Sequence, residues 1–243
     1  MTDIHCHILP AVDDGAEDMA EALQMASLAA GSGVNCIIAT PHLRGTAAAV
    51  EADTAPAKAA FAGLKAALAE QELPIRLYRG AEVLCLPETP ALAGAGLLPT
   101  LADTDYLLIE FYFDEPFENM DERLLALEAA GLRPVVAHPE RYACVRRDPF
   151  RLARWFDRRV VLQLNKGSIL GAFGSAVQQT AETLLDAGLA HIIASDAHHA
   201  DRRTPYMRDI RRRLDVLCPP EYTDILLEEN PLRILNGRPM VPA

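Results

Sequence analysis

TDIHCHILPAVDDGA, residues 2–16, sets the frame: a short β-prone run, Thr2–His5, delivers two histidines two residues apart and then breaks at Pro10. Side chains at i and i+2 of a strand share a face, so His5 and His7 point the same way while Cys6 points opposite. The same architecture recurs along the chain. Short apolar or β-branched runs at Asn35–Ala39, Ile75–Tyr78, Tyr106–Phe111, Pro134–Ala137, Val160–Leu164 and His191–Ala194 alternate with Ala/Leu-rich stretches of helical period. The helices are predicted over Asp18–Ala30, Ala55–Gln71, Met120–Ala130, Pro149–Phe156, Ser175–Ala187 and Thr204–Leu217, several followed by a glycine such as Gly31, Gly131 or Gly188. Seven strands joined by crossovers define a parallel α/β fold. No Pro/Ser-rich linker divides the ladder, so one domain over residues 1–243, closed or nearly closed as a barrel, fits better than two domains, with an open doubly wound sheet as the alternative. The alanine-rich stretch Gly45–Ala69 carries leucines, a phenylalanine and lysines at a spacing that suits an amphipathic surface helix.

Bulk properties narrow the function. The 243 residues, half of them apolar, suffice for one large core. A net charge of −11, from 34 acidic and 23 basic residues, argues against a general nucleic-acid-binding surface, so any phosphate recognition is local. Five scattered cysteines, Cys6, Cys36, Cys85, Cys144 and Cys218, form no CxxC or secreted-scaffold pattern and fit a reducing cytoplasm. Neither a signal peptide nor an apolar run near the roughly 20 residues of a membrane helix is visible. The expectation is a cytoplasmic protein without membrane insertion.

The chemistry gathers at the C-terminal ends of the strands, where parallel α/β proteins place their active sites. Asp196 and His198 repeat the dipeptide spacing of His5 and His7 after the last strand, and in a closed sheet the first and last strands are neighbours. Between them come Asp14 after the first strand, His42 in ATPH after the second, Glu82 after the third, Glu110 ending the fourth and His138 ending the fifth. A single histidine is more often a hydrogen-bonded structural residue than a ligand. Carboxylates at the ends of apolar strands, however, are costly to bury without a cation or hydrogen bonds. Five imidazoles and four carboxylates with no thiolate exceed the needs of one ion and suit two or three borderline divalent metals, manganese, iron or zinc. Such a cluster makes hydroxide available from bound water near neutral pH and neutralises phosphate oxygens under in-line attack. Arg141 in HPER and Arg203 lie near these residues and are candidates to grip phosphate, the alternative being an ion pair with a neighbouring carboxylate. His191 reads as structural and His199 as a supporting or surface residue. No cysteine sits in a phosphatase loop, so covalent cysteine catalysis is disfavoured.

DIHCHILPAVDDGA, ATPH, GAEV, LIEF, AHPER and ASDAH, together with LNKGSILGAFG and the closing ENP at Glu229–Pro231, run through almost the whole chain. In order and spacing it resembles the protein-tyrosine phosphatases of the PHP superfamily (polymerase and histidinol phosphatase) encoded with bacterial capsule and exopolysaccharide genes. The resemblance implies a distorted seven-stranded (β/α) barrel, a TIM-like fold of PHP type. It implies three metal ions, usually manganese, and hydrolysis of phosphotyrosine on the tail of a bacterial tyrosine autokinase. The metal positions it implies are His5, His7, Asp14, His42, Glu82, Glu110, His138, Asp196 and His198, with Arg141 and Arg203 at phosphate-binding positions. Two other functions remain: a small-molecule phosphatase or phosphodiesterase acting on histidinol phosphate or oligonucleotides, and a non-catalytic module. The latter predicts a degraded ligand set, whereas here all nine positions are filled.

Overall fold

The computed structural model describes residues 1–156, 158 and 160–241. Among these residues nine strands form, all paired in parallel: β1 (Thr2–Cys6), β2 (Cys36–Ala39), β3 (His42–Arg44), β4 (Arg76–Arg79), β5 (Glu82–Leu84), β6 (Tyr106–Glu110), β7 (Arg133–Ala137), β8 (Val161–Asn165) and β9 (Ile192–Ala194). They divide into a three-stranded sheet, β1-β2-β4, and a six-stranded sheet, β3-β5-β6-β7-β8-β9. The parallel α/β arrangement is as expected, but the strands lie in two sheets rather than in one closed ladder. Among the described residues no continuous ladder joins the two sheets. The expected second and third strands each stop and resume after a gap of two residues. Pro41, which has no N–H to donate, lies in the first gap, and Gly80 lies in the second. At the seam Glu82 N donates to Pro41 O at 3.0 Å.

The first and last strands meet at their C-terminal ends. Cys6 pairs with Ala197 in an isolated parallel bridge, His7 N donates to Ala197 O at 2.8 Å and Asp196 N donates to His5 O at 2.9 Å. The chain thus brings the two dipeptide-spaced pairs side by side.

Strand side chains alternate between two apolar clusters. Leu107 and Ile109 of β6 join Leu162 and Leu164 of β8 in a large cluster with helix residues such as Met25, Leu64, Leu124, Leu184 and Leu214. Tyr106 and Leu108 join Ile4, Ile38, Val135, Val161 and Ile192 in a smaller one. Strands buried on both faces carry near-continuous apolar runs, which is why YLLI and VVL read as strands.

Helices over Met19–Gly31, Phe117–Ala129 and Ser175–Asp186 match the sequence reading to within three residues at each end. The alanine-rich helix spans Ala47–Glu70, in line with the amphipathic reading of Gly45–Ala69 but starting well before the Ala55 of the narrower helix prediction, and it contains Pro56. Proline suits a first helical turn, so it reads as a start signal; the true N-cap is Thr46, whose hydroxyl accepts from Ala49 N at 3.2 Å. Pro56 leaves the carbonyl of Ala52, an exposed residue, without its usual partner. The segment Pro149–Phe156 is a 3-10 turn followed by one helical turn. The helix expected from Thr204 begins at Arg208, because the carbonyls of Thr204 and Tyr206 accept from the buried Lys166 ammonium. Past it, a helical tail over Pro220–Leu235 is anchored by Asn230, whose amide nitrogen donates to His191 O at 2.9 Å. No helix among the described residues is long and apolar enough to cross a membrane.

Candidate metal centre

All nine residues singled out as metal positions converge on the C-terminal rim of the strands. Three groups of donor atoms form there: His5, His7, Glu82 and Asp196; His7, Asp14, His42 and His198; and His42, Glu82 and Glu110. The groups share members, with His7, Glu82 and His42 each belonging to two. Glu82 is the hub. Its Oε2 lies 3.3 Å from Nε2 of both His5 and His7 and 3.1 Å from His42 Nδ1, while its Oε1 lies 2.9 Å from His138 Nε2. Asp14 and His42 form the outer side, their side chains 66% and 38% exposed, whereas the side chains of His5, His7, Glu82 and Asp196 are at most 2% exposed.

The geometry of the innermost group suits a cation. Four ligands about 2.1 Å from one ion at tetrahedral angles lie about 3.4 Å apart. Here His5 Nε2 and His7 Nε2 are 3.2 Å apart, and Asp196 Oδ1 is 3.5 and 3.6 Å from them. The protonation pattern agrees. His5 Nδ1 bonds Gln163 Oε1 at 2.8 Å, and His7 Nδ1 bonds Asp13 Oδ2 at 2.7 Å. Gln163 offers its carbonyl side here because its amide nitrogen donates to Leu164 O. The Nδ1 atoms therefore donate, which leaves both Nε2 atoms, 3.2 Å apart, directed into the middle of the group. His198 Nδ1 likewise contacts Asp196 O at 3.0 Å and leaves Nε2 toward Asp14.

The electrostatics express the same demand. Burial would lower the pKa of His5, but Glu82 and Asp196 outweigh it and raise it to about 10. Burial also opposes protonation of His42, which Glu110 and Glu82 lift to about 9. Glu82 stays ionised well below the usual carboxylate range despite burial, held there first by His5 and then by His138 and His7. His198 moves the other way, to about 3, through burial and the charge of His7. A buried nest of ionised carboxylates that draws protons onto its imidazoles is a site that accepts divalent cations in their place.

Local backbone strain helps aim the donors. His138 and Asp196, each directly beyond or near a strand end, adopt left-handed conformations with φ of 37° and 48°. Gly15 permits the loop after β1 to fold against it, since a Cβ there would lie 2.0 Å from His7 O.

Arg141 and Arg203 flank Asp196, with guanidinium nitrogens 3.6 and 2.7 Å from its Oδ2. Of the two readings open from the sequence, the contact seen is the ion pair with a neighbouring carboxylate. Their side chains are 19% and 29% exposed, and a cleft of about 700 Å³ bordered by Asp14, His198, Arg202 and Arg203 gives access from solvent. His191 lies away from the cluster: its Nδ1 accepts from Leu162 N at 3.1 Å and its ring stacks on Phe156. His199 contacts Glu21 at 3.3 Å.

Several supporting residues escape the sequence reading. Asp13, beside the candidate Asp14, carries no sequence signal of its own, yet besides holding His7 it accepts from His42 N at 2.9 Å, and its pKa falls to about 2 as the His7 bond overcomes burial. Gln163 and Asn165 are polar residues inside the apolar strand β8, a visible signal; the Asn165 amide donates to Asp196 Oδ2. Asp3 is fully buried and accepts from Ser195 N at 3.0 Å and from the Ser195 hydroxyl, tying β1 to the loop that carries Asp196.

Fold and site define a known class: the chain belongs to the family described as "Capsular polysaccharide synthesis, CpsB/CapC", which matches residues 1–236. Among individual relatives it is 34% identical to the tyrosine-protein phosphatase YwqE of Bacillus subtilis, over 97% of this chain and 92% of that protein. It is 27% identical to the tyrosine-protein phosphatase CpsB of Streptococcus pneumoniae, over 97% and 98%. A crystal structure from the pair YwqE and CpsB, described as metal-dependent tyrosine phosphatases, superposes with a TM-score of 0.90 at 33% identity, covering 100% of this chain and 97% of that one.

Proposed function

We propose that this protein is a metal-dependent protein-tyrosine phosphatase acting on the phosphotyrosyl tail of a bacterial tyrosine autokinase in capsule or exopolysaccharide regulation. The observation that carries the reading is the buried hub of Glu82 among four imidazoles, continuous with an exposed rim and flanked by two guanidinium groups. Family membership and the names of the relatives support the substrate class. His5, His7, Asp14, His42, Glu82, Glu110, His138, Asp196 and His198 would hold the metal; all but His138, which contacts Glu82 beside them, fall in the three overlapping donor groups, which suit three ions, manganese first and iron or zinc as alternatives. Bound there, divalent ions supply an acidified water and neutralise phosphate oxygens. Arg141 and Arg203 bind the phosphoryl group by exchanging part of their contact with Asp196 for its oxygens. Gln163 and Asp13 hold the imidazoles of His5 and His7 in the tautomer that keeps Nε2 free. A tyrosine leaving group, with a pKa of about 10, depends less on a protonating acid than an alkoxide does.

Residues 1–243 act as one domain of PHP type. Its two sheets read as parts of a distorted seven-stranded barrel, with β2 and β3, and β4 and β5, as halves of interrupted strands and the Cys6–Ala197 bridge at the seam. Five unpaired cysteines fit the cytoplasm. The test is a steady-state comparison of the manganese-loaded protein on phosphotyrosyl peptide, histidinol phosphate and a phosphodiester. The expected result is a clear preference in kcat/KM for the peptide; equal or greater turnover of either alternative overturns the assignment and favours a small-molecule phosphatase or phosphodiesterase.

A further inference from the structure

LNKGSILGAFG, residues 164–174, contributes no proposed metal ligand, yet it touches both arginines and the carboxylate between them. The Arg141 guanidinium lies over two aromatic rings, 4.5 Å from the centroid of Phe113 and 4.5 Å from that of Phe173. The guanidinium of Arg203 lies 5.7 Å from the same Phe173 ring. Phe173 is therefore a platform shared by two cations that come from different loops.

The segment is built to hold that ring in place. A Cβ on Gly167 would stand 2.9 Å from Phe173 Cε2, so the ring rests directly on backbone. Gly167 N donates to Asn165 Oδ1 at 2.7 Å, and the other end of the Asn165 amide reaches Asp196. Lys166 is buried, and its ammonium donates to Thr204 O and Tyr206 O, both at 2.8 Å, fixing the chain just after Arg203. Its pKa is lowered by burial, with Asp209 opposing. Arg203 itself sits at φ 46°, a conformation that the surrounding contacts must impose.

We infer that Phe173, with Phe113 on the outer face, is a positioning residue that pre-orients Arg141 and Arg203 for an incoming phosphoryl group, and that the 165–173 segment exists to carry this platform. The inference rests on the proposed phosphatase reading. A guanidinium held over an aromatic face loses part of its rotational freedom before the anion arrives, so less entropy is lost on binding.

The test uses the full-length manganese-loaded protein with inorganic phosphate as the probe, measured by calorimetry, alongside manganese content and turnover of phosphotyrosyl peptide. Phe173→Leu should weaken phosphate about three- to tenfold and raise KM by a similar factor, with kcat changed about twofold or less. Manganese content should be unchanged, and Phe173→Tyr should restore affinity. In an Arg141→Ala/Arg203→Ala background, Phe173→Leu should add nothing. Phe113→Leu, at an exposed position, should give a loss of about two- to threefold and serves if Phe173→Leu fails to fold. Undiminished phosphate affinity in both leucine variants, or an equal loss in the background lacking both arginines, overturns the platform. Wild-type protein that binds neither phosphate nor peptide overturns the phosphatase reading instead, and the platform with it.

Discussion

His5 and His191 are both buried histidines, 0% and 6% exposed, at opposite ends of the parallel strands, and they titrate in opposite directions. His191 stacks on Phe156 and accepts from Leu162 N, and burial lowers its pKa to about 4. His5 experiences the same penalty, but Glu82 and Asp196 reverse it to about 10. The difference lies in the carboxylates. A buried imidazole alone is a neutral core residue, whereas one placed among ionised acids belongs to a site that needs cations. Burial of a histidine is therefore uninformative until its neighbours are known.

The contrast can be broken most severely at Glu82. Glu82→Gln keeps the shape but removes the charge that serves His5, His7, His42 and His138. We expect loss of at least half of the bound metal by elemental analysis and a fall in kcat/KM of about a thousandfold or more. A near-normal metal content would show that the hub is dispensable.

The other side of the comparison predicts a pH effect. The folded-state pKa of His191, about 4, lies below its usual 6.5, so between these values the unfolded chain binds a proton that the folded chain refuses. His191 thus contributes stability above about pH 6.5 that is lost as pH falls toward 4, up to about 3 kcal/mol. Urea unfolding at pH 7 and pH 4.5 should show His191→Gln losing less stability on acidification than wild type. Equal losses would mean that His191 is already protonated in the fold.

Asp13 sharpens the account on a finer scale. Asp13→Asn weakens the acceptor for His7 Nδ1 without touching a proposed ligand atom, so metal affinity should fall by about ten- to a hundredfold with the fold intact. Manganese titration of metal-stripped protein measures this, and unchanged affinity would remove Asp13 from the supporting shell.

Much of this was readable in advance because the candidate ligands follow apolar strands, where an isolated acid or histidine stands out: Glu110 after YLLI, His138 after VVA, Asp196 after IIA. The strand breaks at Pro41 and Gly80 were less legible, since β3 and β5 are only three residues long and carry little periodic signal. The helix start at Thr46 was masked by Pro56, a residue with a strong local preference that an exposed surface tolerates. Supporting contacts were the least visible. Gln163 and His5 are 158 residues apart, and Asn165 and Asp196 are 31 apart, so their pairing exists only once the sheet is assembled. The Asp196 contacts of Arg141 and Arg203 belong to the same category: spacing placed both arginines near the site but did not reveal which oxygen they face.

His138 provides the most direct test of the central claim. Its Nε2 bonds Glu82 Oε1 at 2.9 Å, and it is 2% exposed, so His138→Ala alters the cluster from within while leaving Arg141 and Arg203 in place. Metal content and phosphotyrosyl-peptide hydrolysis, measured on the same preparation isolated without added metal, should fall together. Undiminished turnover with the metal gone would contradict the account.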